Sequence, residues 1–121
     1  MDTIARLVID GRDVAPVAVA RRYHERRRGL LGTDGIDGAL WIEPCKQVHT
    51  IRMRYPIDIA HVARDGLVLA TRTMPPWRFS ALRVRARSVV EAEAGSFERW
   101  GLAEGSRVAV REPGGAVDRS A

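Results

Sequence analysis

The sequence has few of the residues that carry covalent or metal chemistry in small proteins. Cys45 is the only cysteine among 121 residues, so no disulfide can form within the chain. Neither a CxxC nor an HxxxH motif is present, and both are common signs of a metal site. A single thiol fits a reducing compartment, and no cofactor is expected from the composition.

Long apolar runs are also lacking. No stretch approaches the roughly 20 apolar residues that a helix needs to cross a bilayer. Residues 1–14 do not show the charged and then apolar pattern of a secretory signal. We therefore expect a cytoplasmic protein without a membrane partner.

Lysine is nearly absent, although the chain is basic. Lys46 is the only lysine among 20 basic residues, and the net charge is +5. Such a balance raises nucleic acid as a partner. However, 15 acidic residues are spread along the chain, and aromatic residues do not interleave with the arginine-rich stretches 21–28 and 83–87. We therefore expect no specific nucleic-acid partner.

The length and composition are those of one globular domain. Hydrophobic residues make up 45% and charged residues 29% of the sequence, which is ordinary for a folded chain that buries its own core. We predict a single β-rich domain over residues 1–112. The remaining residues, 113–121, are rich in glycine and polar residues, and we predict a disordered tail there.

Short strands dominate the predicted secondary structure. Asp10-Gly11 and Asp65-Gly66 are hairpin-turn signals, because type I′ turns need positive φ. The predicted strands cover residues 4–9, 13–20, 39–43, 57–63, 67–73, 82–94 and 107–111, with short helices in 21–32 and 96–100. Pro16 predicts an edge position or a bulge in the second strand. The fold class is mainly β, a compact antiparallel β-sandwich or barrel with one or two short peripheral helices.

One predicted strand alternates clearly between apolar and polar positions. In residues 82–94, one face is largely apolar, whereas the other carries Arg83, Arg85, Arg87, Val89, Glu91 and Glu93. A period of two predicts a strand with one face in solvent.

The segment CKQVHTIRM, residues 45–53, is the main candidate for function. Cys45, His49 and Met53 are spaced by four, so a strand or a helix would place them on one side. Thiolate, imidazole and thioether are ligands for Cu(I), which gives a soft-metal hypothesis. Cys45 with His49 as its base would give a small hydrolase or transferase. The third hypothesis is that the three residues are mainly structural and line a pocket.

Two charged residues extend this candidate site. Asp58 begins an apolar strand, where a carboxylate needs a partner to offset the loss of its hydration. Arg26, Arg28 and His49 are the candidate partners. We therefore predict a pocket near residues 45–58 with six ligand-binding candidates: Cys45, His49, Thr50, Met53, Asp58 and Arg26.

A series of motifs resembles a known family. Their order is ERRRGLLG, GALWI, His-Thr-x-x-Met, PIDIAHVARDGLV, VVEAEAG and GSRV, between about Ala18 and Val110. This order is similar to that of the uncharacterised domain of unknown function 192. The resemblance implies a compact β-sandwich or barrel with peripheral helices, and it implies no activity or ligand. The positions marked in that family correspond to Glu25, Arg26, Gly29, Leu30, Thr50, Met53, Pro56, Asp58, Glu91 and Gly95.

The resemblance also bears on the 45–53 segment. Many members of the family carry tryptophan where His49 stands, so a role for this imidazole is not family-wide. The marked Thr50 and Met53 indicate a turn, with Thr50 hydrogen-bonding the backbone around it. The sequence as a whole favours a binding module for an unknown small molecule or protein.

Overall fold

The computed structural model describes residues 4–114 and 117–118, which form strands and two short helices. The prediction of a mainly β fold is confirmed. In chain order the elements are β1 (Arg6–Ile9), β2 (Arg12–Ala20), α1 (Tyr23–Arg28), β3 (Ala39–Ile42), β4 (Ile57–Ala63), β5 (Val68–Met74), β6 (Ala86–Glu93), α2 (Ser96–Trp100), β7 (Val108–Arg111) and β8 (Val117–Asp118).

Both Asp-Gly pairs form the predicted hairpin turns. Asp10 and Gly11 have φ of 50° and 81°, so both central residues of the β1–β2 turn are left-handed. Gly66, between β4 and β5, has φ of 91°. A Cβ at this position would lie 2.6 Å from the carbonyl oxygen of Val108, so the turn packs against β7 only because it carries glycine.

The strands form one sheet in the order β5-β4-β6-β3-β2-β1-β7-β8. Neighbouring strands in the described residues are antiparallel except β2 and β3, which run parallel. Residues 21–38 form the crossover that parallel neighbours require, and they contain α1. A bridge between Leu67 and Arg107 brings two distant parts of the sheet together, but the sheet is not closed into a barrel.

β2 contains a bulge, which is one of the two alternatives that Pro16 predicted. Ala15 pairs with Leu7 and Asp13 pairs with Val8, so Val14 is the extra residue. β2 is nevertheless an interior strand, because it also pairs with β3 from Val17 onward, after Pro16.

Apolar side chains pack on both faces of β3, β4 and β6. Trp41 and Val90 face a first core, whereas Ile42 and Val89 face a second core on the other side. The first core includes residues of β1 and β7. The second core is completed by residues from the two long connections: Leu30 of the crossover and Met53 of the segment before β4.

The prediction that one face of residues 82–94 lies in solvent is wrong. The strand is Ala86–Glu93, and both Val89 and Glu91 are buried on the face that the alternation assigned to water. The crossover and the segment between β3 and β4 cover this face.

Two remaining predictions concern the end of the chain and the membrane. Val117 and Asp118 pair with β7, while residues 115–116 and 119–121 of the predicted tail lie outside the described residues.

Neither helix in the described part of the chain has the length and apolar character to traverse a bilayer.

Candidate functional site around a buried glutamate

The candidate segment turns back on itself instead of forming a strand. The backbone N–H of Met53 donates to the Thr50 carbonyl at 3.0 Å, and Arg52 takes a left-handed φ of 66°. The predicted turn at Thr50 is confirmed. It lets neighbouring residues of the segment contribute to one site, which an extended strand would not.

Thr50 joins this turn to the following loop. Its hydroxyl donates to the Pro75 carbonyl at 2.7 Å and accepts the Arg78 N–H at 2.9 Å. The backbone of Thr50 adds a bond of 2.8 Å from its N–H to the Arg78 carbonyl. Thr50 is fully buried, so it positions the site residues and is not itself accessible to a ligand.

A cavity of about 210 Å³ lies between the end of α1, the 45–53 turn and the second core. Four of the six predicted residues line it, namely Arg26, Cys45, His49 and Met53. Its apolar lining comes from side chains such as Leu30, Ile42 and Ile57. The prediction that Cys45, His49 and Met53 gather on one cavity therefore agrees with the geometry.

Glu91 of β6 also lines this cavity, and sequence reasoning did not select it as a site residue. The residue is only 3% exposed, and its carboxyl has no hydrogen-bond or ion-pair partner in the described part of the chain. Burial raises the pKa of Glu91 to about 7. Glu91 is marked by the family resemblance and lies between the apolar residues Val90 and Ala92, and this was the signal that could have identified it.

Gly29 allows the chain to pass close above this carboxyl. A Cβ at Gly29 would lie 3.4 Å from Oε1 of Glu91, and its φ of 51° is left-handed. The glycine at the end of α1 therefore leaves room beside the carboxyl that a larger residue would reduce.

Cys45 contacts the cavity with a thiol that is protonated at neutral pH. Burial raises the pKa of Cys45, and the negative charge of Glu91 raises it further. Its Sγ–H donates to the Gln47 carbonyl at 3.3 Å. A nucleophilic cysteine needs the opposite shift, because the thiolate is the reactive form. This environment argues against the hypothesis of a Cys45 nucleophile.

His49 and Met53 are both held by local packing. Nδ1 of His49 accepts the Ile51 N–H at 3.2 Å, and its ring lies 5.8 Å from that of Phe79. Met53 is buried in the second core. Within residues 4–114 and 117–118, no group of three histidine, cysteine or acidic side chains could hold a metal ion.

Asp58 lies on the opposite face of the sheet from the cavity. It accepts hydrogen bonds from the Thr73 hydroxyl at 2.6 Å and from the N–H groups of Gly95 and Phe97 at 2.9 and 3.1 Å. No arginine partner is found for it in the described residues, in contrast to the prediction. Asp58 is buried, as predicted, and it fixes the start of α2.

Three consecutive arginines at the end of α1 border the cavity. Arg26 donates to the carbonyls of Arg21 and Pro44 at 3.1 and 3.2 Å, so its guanidinium joins α1 to the segment after β3. Arg27 and Arg28 are exposed and have no carboxylate partner among the described residues. They place positive charge at the edge of the cavity.

Two crystal structures are similar to this fold. One is from Sinorhizobium meliloti 1021 and is described as a "putative transcription regulator"; it is 21% identical, with a TM-score of 0.71, and the match covers 88% of this chain and 91% of that chain. The other is a protein of unknown function from Novosphingobium aromaticivorans DSM 12444. It is 20% identical, with a TM-score of 0.74, and the match covers 87% of this chain and 82% of that chain.

At these identities the likeness concerns the fold alone. A comparison with curated proteins finds no match. The family model DUF192, described as "Uncharacterized ACR, COG1430", matches residues 5–110, which include the 45–53 turn, Glu91 and both core faces. Because this match spans most of the chain, the protein belongs to the DUF192 family, as the order of its motifs predicted.

Proposed function

We propose that this protein binds a small molecule in the cavity beside Glu91. The observation that supports the proposal is Glu91, a residue that is only 3% exposed, lines a cavity and has no partner for its carboxyl in the described residues. The Glu91 carboxyl faces the cavity, where its oxygens can accept hydrogen bonds, and the described residues supply no donor to it. A ligand that donates a hydrogen bond to this carboxyl would supply one.

The other buried carboxylates make the contrast clear. Asp58 accepts three hydrogen bonds. Glu43 accepts from the Trp41 indole at 3.2 Å and from the Ser88 hydroxyl at 2.8 Å, and Arg21 lies 3.7 Å away. Both groups thus have a structural role that accounts for their burial. Glu91 has no comparable contact within residues 4–114 and 117–118, which favours a functional role for it.

The chemistry of the cavity limits the class of ligand. Glu91 favours a hydroxyl, an amine or another donor, and the apolar lining favours a hydrocarbon body. Arg27 and Arg28 favour a polar or anionic group at the opposite end, toward solvent. A volume of about 210 Å³ is below the range of drug-sized pockets, which begins at about 300 Å³. We infer a small amphipathic molecule with a donor at one end.

The proposal is tested by screening small alcohols, amines and amino acids for binding to the wild type by calorimetry. Each ligand found is then measured against Glu91→Gln, which keeps the size of the side chain but cannot accept through two carboxylate oxygens. Affinity should fall at least tenfold. Glu98→Gln makes the same chemical change at an exposed position of α2 and should leave affinity unchanged.

Two results would contradict this function. The first is that no compound of these classes binds the wild type at millimolar concentration. The second is that the compounds that bind are equally tight with Glu91→Gln, since they would then occupy another place on the protein.

A further inference from the structure

A second surface, which adjoins the cavity where Phe79 contacts His49, combines exposed apolar side chains with arginines. We define the 77–85 surface by seven residues: Trp77, Arg78, Phe79, Leu82, Arg83, Val84 and Arg85. Its apolar members are far more exposed than is usual, at 61% for Trp77, 62% for Phe79, 62% for Leu82 and 74% for Val84. Its arginines are exposed as well.

The backbone beneath these side chains is held firmly. Ser80 and Arg83 donate from their N–H groups to the carbonyls of Val48 and Lys46 at 2.8 and 3.0 Å. The ammonium of Lys46 donates to the carbonyls of Val84 and Ala86, both at 2.7 Å. The segment is therefore a fixed part of the fold, and its apolar side chains are presented to solvent by an ordered backbone.

The charge around this surface is of one sign. Between Asp65 and Glu91 the sequence contains five arginines and no acidic residue. Arg78, Arg83 and Arg85 form no ion pair with a carboxylate of the described residues. Their positive charge is thus available to a partner, and it attracts one that is anionic.

We propose that the 77–85 surface docks onto an anionic lipid membrane. Aromatic and aliphatic side chains together with basic residues are the composition of segments that lie in the membrane interface. Apolar insertion and attraction to anionic headgroups would add to each other, whereas either alone gives weak binding. This differs from the sequence-based expectation of no membrane partner, which depended on the lack of a spanning segment.

Two features favour a membrane over other anionic partners. A single-stranded nucleic acid would stack its bases on Trp77 and Phe79 but would make no comparable use of Leu82 and Val84. A stable protein partner usually contacts about 20–30 residues on each side, more than the seven of this surface. A lipid interface has no such requirement and accommodates all four apolar side chains.

The test is sedimentation of the full chain with vesicles. The wild type should bind equimolar phosphatidylglycerol and phosphatidylcholine at least tenfold more tightly than pure phosphatidylcholine, with a blue shift of tryptophan emission. Trp77→Phe should still bind but show a much smaller shift, because the buried Trp41 and the partly buried Trp100 do not enter the lipid.

Paired variants separate the two contributions. Arg83→Glu with Arg85→Glu should weaken binding to anionic vesicles at least tenfold, and Leu82→Ser with Val84→Ser should do the same. All four residues are exposed, so thermal unfolding should show that these variants remain folded. Arg12→Glu with Arg22→Glu makes the same change of charge at exposed positions outside the surface and should retain most of the binding.

The outcomes distinguish this proposal from its alternatives and from the proposed ligand site. Absence of vesicle binding would overturn it, as would equal loss in both pairs of arginine variants. Tighter binding to a single-stranded RNA oligonucleotide, lost in Trp77→Ala and Phe79→Ala, would assign the surface to nucleic acid instead. Glu91→Gln should bind vesicles like the wild type, since it changes only the cavity.

Discussion

At the scale of single residues, the state of Glu91 makes stability depend on pH. Its pKa is about 7 in the folded protein, against 4.5 for an unperturbed glutamate. The folded state therefore binds the proton more tightly than the unfolded state. Stability from this group is complete below pH 4.5 and is lost as pH rises through about 7.

We predict that Glu91→Gln removes this loss of stability at higher pH. Relative to the variant, the wild type should lose about 3 kcal/mol of unfolding free energy between pH 4.5 and 8, from the shift in pKa. Denaturant unfolding at several pH values measures the difference. If the two proteins have parallel profiles over this range, the Glu91 carboxyl is not isolated from water as described.

The contribution of His61 to stability should depend on pH in the opposite direction to that of Glu91. It is buried in β4, and its Nε2 has no hydrogen-bond partner among the residues that the structure describes. Burial together with the charge of Arg83 lowers its pKa below 6.5. Because the folded state favours the neutral ring, its contribution is complete above pH 6.5 and is lost as pH falls through the lower folded pKa.

His61→Gln should therefore flatten the acid side of the stability profile. Thermal melts between pH 4.5 and 7 would reveal this as a smaller decrease toward low pH than in the wild type. His24→Gln, at an exposed position of α1, is the matched control and should follow the wild type. An unchanged slope in His61→Gln would assign the acid sensitivity to other groups.

Replacing Asp58 should lower the free energy of unfolding. Asp58→Ala leaves the Thr73 hydroxyl and two N–H groups at the start of α2 without an acceptor. Hydrogen bonds to a charged acceptor contribute about 1.5–3 kcal/mol each, but their losses are not additive, so we expect a cost of about 3–5 kcal/mol. Chemical denaturation is the measurement, with exposed Asp37→Ala as control.

A cost under about 1 kcal/mol for Asp58→Ala would mean that water replaces the lost contacts. The sequence predicted this burial because a carboxylate stood within apolar residues. It could not predict the partners, since the N–H groups of Gly95 and Phe97 come from a helix more than thirty positions further along the chain.

At the scale of elements, a substitution in the 45–53 turn tests whether Met53 has a structural role or binds a metal. Met53 is buried in the second core, so Met53→Leu conserves volume and should cost less than about 1.5 kcal/mol. We expect no stoichiometric binding of Cu(I) in anaerobic titrations of either protein. Tight binding by the wild type that Met53→Leu loses would show that the sulfur is a ligand.

β6 shows where element-level prediction fails. The alternation of residues 82–94 identified a strand, and the strand is present from Ala86 to Glu93. The assignment of one face to solvent was wrong because coverage depends on distant segments. Hydropathy within the strand contains no information about the crossover of residues 21–38 or the 45–53 turn, which cover Val89 and Glu91.

At the scale of the whole molecule, local signals predicted most of the sheet. The Asp10-Gly11 and Asp65-Gly66 turns and the strands beside them lie close to the predicted positions. Turn geometry and alternation are properties of a few neighbouring residues, so a sequence reveals them. The parallel pairing of β2 with β3 has no such signal, because it depends on how the crossover returns.

For the candidate site as well, local signals were predictable from the sequence and long-range packing was not. The spacing of Cys45, His49 and Met53 indicated the cavity, and the structure brings these residues together with Arg26. Asp58 was assigned to this site because of its position in the sequence, but it lies on the other face of the sheet. Glu91 was not selected because its burial results from long-range packing.

The crossover that the parallel pair requires has a consequence for variation within this fold. Residues 21–38 leave β2 and return to β3, and Arg26, Gly29 and Leu30 within them border the cavity. Loop length is the easiest property of a protein to change, because an insertion here leaves every strand in register. Lengthening or shortening this connection would therefore reshape one wall of the cavity, while the sheet that supports Glu91 stays the same.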